Sequence, residues 1–321
     1  MNADAAIDVS IVIPVYRSAA TLRALAERLM TVLSGAGLGY EIIFVDDGSP
    51  DASWGELSRL HAEHPAIITA VQLMRNFGQH NALMCGFRYA RGRLVVTLDD
   101  DLQNPPEEIP KLLAAIETQG LDVVYGQYGD RCQRRWRNLG SAMVNAFYRT
   151  VFGAKVVVSS FRVMRREIVL AILEYRLNFT FVDGLLAWHT QRLGMVPVDH
   201  HPRRAGRSGY SLGKLCTLSL NMLTNFSLLP LQAVSVAGFC AASLGFLLGA
   251  YYLGVFLLHG MTVPGYASTI IAILVLGGCQ LLALGIMGEY LGRLHLNVNR
   301  KPQYCERQCL GRSGDDEPVR S

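Results

Sequence analysis

Between Val9 and Tyr125 short β-branched runs alternate with stretches of helical spacing. Val9–Ile13 predicts a strand that Pro14 stops. Leu22, Leu25, Leu29 and Leu33 recur on one helical face, which predicts a helix over 21–33. Strands are predicted at Glu41–Val45, Thr69–Leu73, Leu94–Leu98 and Val123–Tyr125, with a helix over Asn81–Ala90. After the second strand, Asp51 is placed to cap the next helix. Another helix opens at Pro105 and Pro106, with Glu107 and Glu108 in its first turn, favourable at the positive end. Strand–helix alternation of this kind predicts a mainly parallel α/β sheet with helices on both faces. Ligands of such sheets bind beyond the carboxyl ends of the strands. The polar segments PVYRS, DDGSPD, RNFGQH and DDDLQ follow the first four strands.

The second half of the chain has another pattern. From Leu215 to Gly288 there is no Asp, Glu, Lys or Arg. Two apolar runs, Gln232–Leu257 and Tyr266–Met287, each exceed the roughly 20 residues that a helix needs to cross a bilayer. The short HGMTVPG link makes them a helical hairpin. The link holds no basic residue, whereas Arg203, Arg204, Arg207 and Lys214 precede the hairpin and Arg293, Arg300, Lys301, Arg307, Arg312 and Arg320 follow it. By the positive-inside tendency both ends face the cytoplasm. The segment before Pro230 mixes apolar residues with Ser, Thr and Asn and reads as helices lying at the interface. Four regions are therefore expected: a soluble α/β domain over 1–209, interfacial helices over 210–230, a two-helix transmembrane hairpin over 231–290 and a basic cytoplasmic tail over 291–321.

Charge and cysteine content narrow the classes. The net charge is only +4, which gives no reason to expect a nucleic-acid partner. Seven cysteines are scattered without a disulfide framework, as in a reducing compartment. Cys305 and Cys309 have no second ligand pair to complete a metal site. The opening MNADAAIDVS lacks the basic and apolar regions of a signal peptide, so none is expected.

Candidate chemistry concentrates in Asp99-x-Asp101-x-Gln103. In an extended segment these alternate side chains project to one side, and two carboxylates with an amide oxygen suit Mg²⁺ or Mn²⁺. Three successive acids repel one another unless a cation lies among them. Asp46 and Asp47 end the second strand on the same rim, where a carboxylate could accept a nucleobase N–H or cap a helix. Asn76, Gly78 and Gln79 follow the third strand, and Gly78 permits close backbone approach.

The motifs IVIPVYRS, IIFVDDGSPD, MRNFGQHNALMCGF and LVVTLDDDLQNPPEEIPKLL resemble those of family 2 glycosyltransferases with the GT-A fold, a Rossmann-like sheet. LDDDLQNPPE resembles dolichol-phosphate mannose synthases, and more closely the bacterial enzymes that load a sugar onto undecaprenyl phosphate, including aminoarabinose-type transferases. The likeness continues through SFRVMRREI, RRAGRSGYSLGKL and GEYLGRLHLNVNRKPQY. It implies donor-nucleotide contacts at Pro14, Tyr16, Asp46, Asp47, Asn76, Gly78, Gln79 and Asp99. It implies a metal and catalytic site at Asp99, Asp101 and Gln103, and acceptor-phosphate contacts at Arg137, Ser141, Arg203, Ser208 and Tyr210. Arg131, Arg134, Arg135 and Arg137 equally form a patch attracted to anionic lipid.

Three positions depart from the family pattern. Arg17-Ser18 stands where Asn-Glu is usual. Val156 aligns with a family aspartate, for which Asp183 is the candidate replacement. Gln133-Arg134-Arg135-Trp136 is one residue short of the QxxRW motif of processive synthases. The implied function is inverting transfer from a UDP-sugar to polyprenyl phosphate at a bacterial inner membrane, for cell-envelope glycan or lipopolysaccharide modification, by a homo-oligomer of four chains. The alternatives are a processive polysaccharide synthase, which needs more spans and a true QxxRW, and a catalytically silent scaffold, against which the intact acidic motif speaks.

Overall fold

The computed structural model describes residues 7–128, 159–177, 180–199, 229–259, 265–298 and 302–311. The chain divides into two units, one made of Met1–Tyr210 with Lys301–Ser321, the other of Ser211–Arg300.

The first unit is built on an eight-stranded mixed sheet. Its strands are β1 (Val9–Val15), β2 (Tyr40–Asp46), β3 (Ile68–Leu73), β4 (Leu94–Thr97), β5 (Val123–Tyr128), β6 (Arg162–Arg165), β7 (Leu193–Val198) and β8 (Glu306–Leu310), in the order β7-β5-β6-β4-β1-β2-β3-β8. β4, β1, β2 and β3 run parallel, as their alternation with helices predicts. β6 and β8 enter antiparallel, and β7 pairs parallel with β5. "Mainly parallel" therefore holds for the sheet, with only the interior β6 and the edge strand β8 running against the other strands.

Among the described residues this unit also holds helices α1 (Leu22–Gly35), α2 (Ser53–Glu63), α3 (Gln79–Tyr89), α4 (Ile109–Thr118), α5 (Arg166–Leu173) and α6 (Val182–His189). β1 is buried along its whole length, as expected for a central strand covered on both faces. Its Ile11, Ile13 and Val15 join Leu22, Leu25, Leu29 and Leu33 of α1 in the main core. Val12 points the other way, to α3. A Cβ on Gly86 of that helix would meet Val12 Cγ1 at 2.4 Å, so the glycine sets how closely α3 lies on the sheet.

Pro14 does not end β1, contrary to the pattern-based expectation. β1 pairs with β4 only as far as Val12↔Thr97, while pairing with β2 continues to Val15↔Asp46. Pro14 thus lies beyond the last β4 partner, where a missing N–H is tolerated. The 291–321 segment is also more than a tail. Its first part continues a helix to Val298, and Glu306–Leu310 becomes β8 on the edge of the sheet beside β3.

The second unit contains two helices in contact, α7 (Leu229–His259, 31 residues) and α8 (Tyr266–Val298, 33 residues). Phe246 and Leu258 of α7 and Leu281 of α8 are strongly exposed. Several side chains within both helices lie outside the described residues, and among the described residues no helix is long and apolar enough to cross a membrane.

Candidate active site

Because β1 to β4 are parallel, the segments after their carboxyl ends meet on one rim. Asp99 is two residues past the end of β4. Its Oδ1 accepts a hydrogen bond from Gln79 Nε2 at 2.7 Å and its Oδ2 one from the Ser160 hydroxyl at 2.6 Å. Gln79 is the first residue of α3, and Ser160 lies just before β6. Burial raises the Asp99 carboxyl above its ordinary range, opposed by the Ser160 bond and reinforced by the negative charge of Asp101.

Asp100 turns toward the first loop. It accepts the Tyr16 N–H at 3.0 Å, and its carbonyl accepts the Thr21 hydroxyl at 2.7 Å. Burial pushes its carboxyl up to about 6, against the hydrogen bonds of Ser18 and Tyr16. The extended geometry assumed for Asp99–Gln103 is not what forms. The chain turns at Asp100–Asp101, Leu102 takes φ +60°, and Asp101 Oδ1 accepts the Gln103 N–H at 3.1 Å. Leu102 is buried, and enclosing its side chain offsets the cost of the left-handed backbone.

Asp46 and Asp47 are both buried and hold loops in place. Asp46 accepts the Ser49 N–H and the Gln72 amide, at 3.0 and 3.1 Å. Asp47 accepts the N–H groups of Phe77 and Gly78, at 2.6 and 2.9 Å, so it stitches the end of β2 to the loop after β3. Burial pushes the Asp47 carboxyl up to about 6 against these two bonds. Gly48, at φ +65°, lies where a Cβ would come within 2.5 Å of the Arg75 backbone.

Tyr16 is exposed, with the Arg17 guanidinium 5.3 Å from its ring centre. Arg17 takes φ +59°, and its N–H donates to the Ser49 hydroxyl at 3.1 Å. Pro14 is enclosed within β1, and Asn76 is exposed on the rim. Asp183 is the candidate replacement for the family carboxylate aligned at Val156, a position outside the described residues. It is buried, ion-paired with Arg162 and accepting the Tyr125 hydroxyl at 3.2 Å. Arg137, Ser141, Arg203, Ser208, Tyr210 and Val156 lie outside the described residues.

The rim thus brings together Asp99, Asp100, Asp101, Gln79 and Tyr16. Ser160 and Arg162 were not singled out from the sequence, whereas Asp100 was noted only within the run of three acids and His80 only within RNFGQH. Among the described residues no three His, Cys, Asp or Glu side chains form a closed metal cage. Asp99 and Asp101 are hard oxygen donors close enough to repel each other. That donor set fits a divalent cation whose remaining positions are filled by a phosphate substrate.

The architecture is that of the GT-A class. The structure of glucosyl-3-phosphoglycerate synthase from Mycobacterium tuberculosis, in complex with Mn²⁺, UDP-glucose and phosphoglyceric acid, aligns with a TM-score of 0.51. It is 20% identical in sequence, and the alignment covers 69% of this chain and 79% of that one. Residues 10–173 match the model of glycosyl transferase family 2, and the chain belongs to that family. It is a glycosyltransferase. It is 35% identical over 300 residues to undecaprenyl-phosphate 4-deoxy-4-formamido-L-arabinose transferase of Shewanella sediminis (strain HAW-EB3), covering 92% of this chain and 90% of that one. The protein of the same name from Serratia proteamaculans (strain 568) is 37% identical over 307 residues, 94% of each chain.

Proposed function

We propose that this glycosyltransferase moves one sugar, with inversion, from a nucleotide-sugar to undecaprenyl phosphate. The observation that carries this is the coincidence of two things. The chain matches undecaprenyl-phosphate sugar transferases along more than nine-tenths of its length, and it keeps an acidic rim at the carboxyl ends of four parallel strands. UDP is the donor nucleotide in this reading.

Asp99, Asp101 and Gln103 would hold Mg²⁺ or Mn²⁺, which when bound neutralises charge developing on the leaving diphosphate. Gln79 orients Asp99 through its amide. The Asp100 bond to the Tyr16 N–H fixes the first loop beside it. Tyr16 and the polar loop after β3, Asn76 included, line the donor side. Arg137, Ser141, Arg203, Ser208 and Tyr210 take the acceptor phosphate. An Arg fork grips two phosphate oxygens at once. The attacking phosphate oxygen is already ionised at neutral pH, so no general base is needed to remove a proton. That oxygen forms the new bond to the anomeric carbon. The old bond to the diphosphate breaks, and its electron pair leaves with the nucleotide. Positioning both phosphates supplies the catalysis.

In the same reading α7 and α8 form a hairpin that crosses the bacterial inner membrane, with both termini and the sheet in the cytoplasm. Support comes from the charge-free stretch between Leu215 and Gly288, from helix lengths of 31 and 33 residues and from exposed apolar side chains that water would not tolerate in such number. The test is a panel of radiolabelled UDP-sugars given to the full chain with undecaprenyl phosphate. One sugar passing singly into the lipid phase is the expected result. A polymer would indicate a processive synthase, and no product from any donor a silent homologue.

A further inference from the structure

Asp99 lies past the last ladder pair of β4, Thr97↔Arg162, so the sheet no longer restrains it. Its carboxylate is instead tied on both oxygens, by Gln79 and by Ser160. The two donors reach it from positions 20 and 61 residues away in the chain. A carboxylate oxygen has about two lone-pair sites, so one bond on each oxygen fixes the carboxylate plane and leaves the remaining sites free.

Ser160 is itself held at several points. Its carbonyl accepts the Thr97 hydroxyl at 2.7 Å. The adjoining Phe161 donates its N–H to the Ser159 hydroxyl at 3.2 Å and accepts the Gly126 N–H at 2.9 Å. Arg162 then starts β6. The Ser160 hydroxyl is thus presented from fixed backbone, with little freedom left to lose when it orients its neighbour.

We propose that Ser160 is a positioning residue of this glycosyltransferase: opposite Gln79, its hydroxyl fixes the plane in which Asp99 meets a divalent cation and the donor diphosphate. The inference rests on the donor-site reading above. Groups that orient a metal-binding carboxylate typically change metal affinity by 10- to 100-fold when removed. The competing role for Ser160 is a staple between β6 and the β4 loop, which would affect folding and not cation binding.

The test uses the full chain in detergent, Mn²⁺ titrated in the presence of UDP and read by electron paramagnetic resonance, with Ser160→Ala and Ser160→Thr. The Ala variant is expected to bind Mn²⁺ about tenfold more weakly, equivalent to about 1.4 kcal/mol. Its metal-free thermal midpoint is expected to stay within about 4 °C of the wild type. The Thr variant, which keeps the hydroxyl, is expected to recover most of the binding. Wild-type Mn²⁺ affinity in the Ala variant overturns the inference and leaves the donor-site reading intact. Equal loss in both variants also overturns it, because the hydroxyl is then not the cause. If the wild-type chain binds no Mn²⁺ with UDP, the donor-site reading falls and this inference with it.

Discussion

Arg162 of β6 and Asp183 of α6 form an ion pair inside the protein, their side chains 1% and 6% exposed. Tyr125 of β5 adds a hydroxyl bond to the same carboxylate oxygen. The Arg162 Nε is buried without a hydrogen-bond partner among the described residues, so the guanidinium depends heavily on Asp183. Removing one member of such a pair leaves an uncompensated buried charge. Asp183→Asn is expected to destabilise the protein by about 3–5 kcal/mol. Replacing both, as Arg162→Met with Asp183→Leu, is expected to recover much of the loss. Denaturant midpoints of the three proteins check this. Equal midpoints for wild type and Asp183→Asn would contradict it.

His80 shares this buried region. Its ring meets Phe181 edge-on at 5.3 Å, and Nδ1 accepts the Val182 N–H at 3.4 Å. Burial holds the imidazole down to about 4, with Asp183 opposing and Arg162 reinforcing the shift. An unfolded chain binds that proton near 6.5. The stability that neutral His80 contributes is therefore complete above pH 6.5 and is lost as pH falls toward 4, on the order of 3 kcal/mol. Asp47 and Asp100, both pushed up to about 6, act oppositely and lose stability as pH rises from about 4 to 6. The comparison that isolates His80 is with His80→Asn, whose side-chain oxygen still accepts a backbone N–H. Its deficit at pH 7 is expected to shrink or reverse by pH 4. Parallel midpoint-versus-pH curves would count against this assignment.

The central half of the sheet was legible because alternation of β-branched runs with helical spacing is a local signal. β1 to β4, α1, α3 and α4 follow from it. β6 is only four residues long, and its run continues straight into α5 without a turn residue to mark the change. β8 was illegible for another reason. Its residues, Glu306-Arg307-Gln308-Cys309-Leu310, carry no strand pattern and become a strand by pairing with β3 across more than 230 positions of sequence. At the site, residue types at strand ends announced Asp99 and Asp101. Sequence could not tell that Asp47 spends both oxygens on backbone N–H groups, or that Ser160 reaches Asp99, because those contacts depend on loop conformations. The left-handed backbone of Arg17 and Leu102 is likewise invisible in residues that rarely adopt it.

β8 is tied to α3 by Glu306, which accepts the Tyr89 hydroxyl at 2.6 Å and the Cys85 thiol at 3.5 Å. Burial pushes the Cys85 thiol well up, which keeps it unreactive. Glu306→Ala is expected to cost about 1.5–3 kcal/mol and to speed labelling of Cys85 by a thiol reagent. Glu306→Gln, which keeps an acceptor, is expected to fall between. Peptide mapping of the labelled site reads the outcome, and unchanged Cys85 labelling in the Ala variant would refute the coupling.

Gly48 lets the loops after β2 and β3 touch. Gly48→Ala adds a Cβ at a positive φ and against the Arg75 backbone. A strained backbone of this kind costs about 1–3 kcal/mol, and the Asp47 bonds to Phe77 and Gly78 are next to it. UDP affinity measured by calorimetry is expected to fall by about tenfold or more. An unchanged affinity would show that these loops do not shape the donor side.

The most direct measurement is the lipid-extractable label formed from a UDP-sugar substrate and undecaprenyl phosphate. It is taken with the full chain, with the chain in excess EDTA, and with Asp101→Ala. Loss of one of two charged ligands weakens a hard divalent cation severely. Label is expected with the untreated wild-type chain alone, and refilling with Mg²⁺ or Mn²⁺ should restore the EDTA-treated sample but not the variant. Near wild-type label in EDTA, or in a folded Asp101→Ala protein, would contradict metal-assisted transfer at the acidic rim.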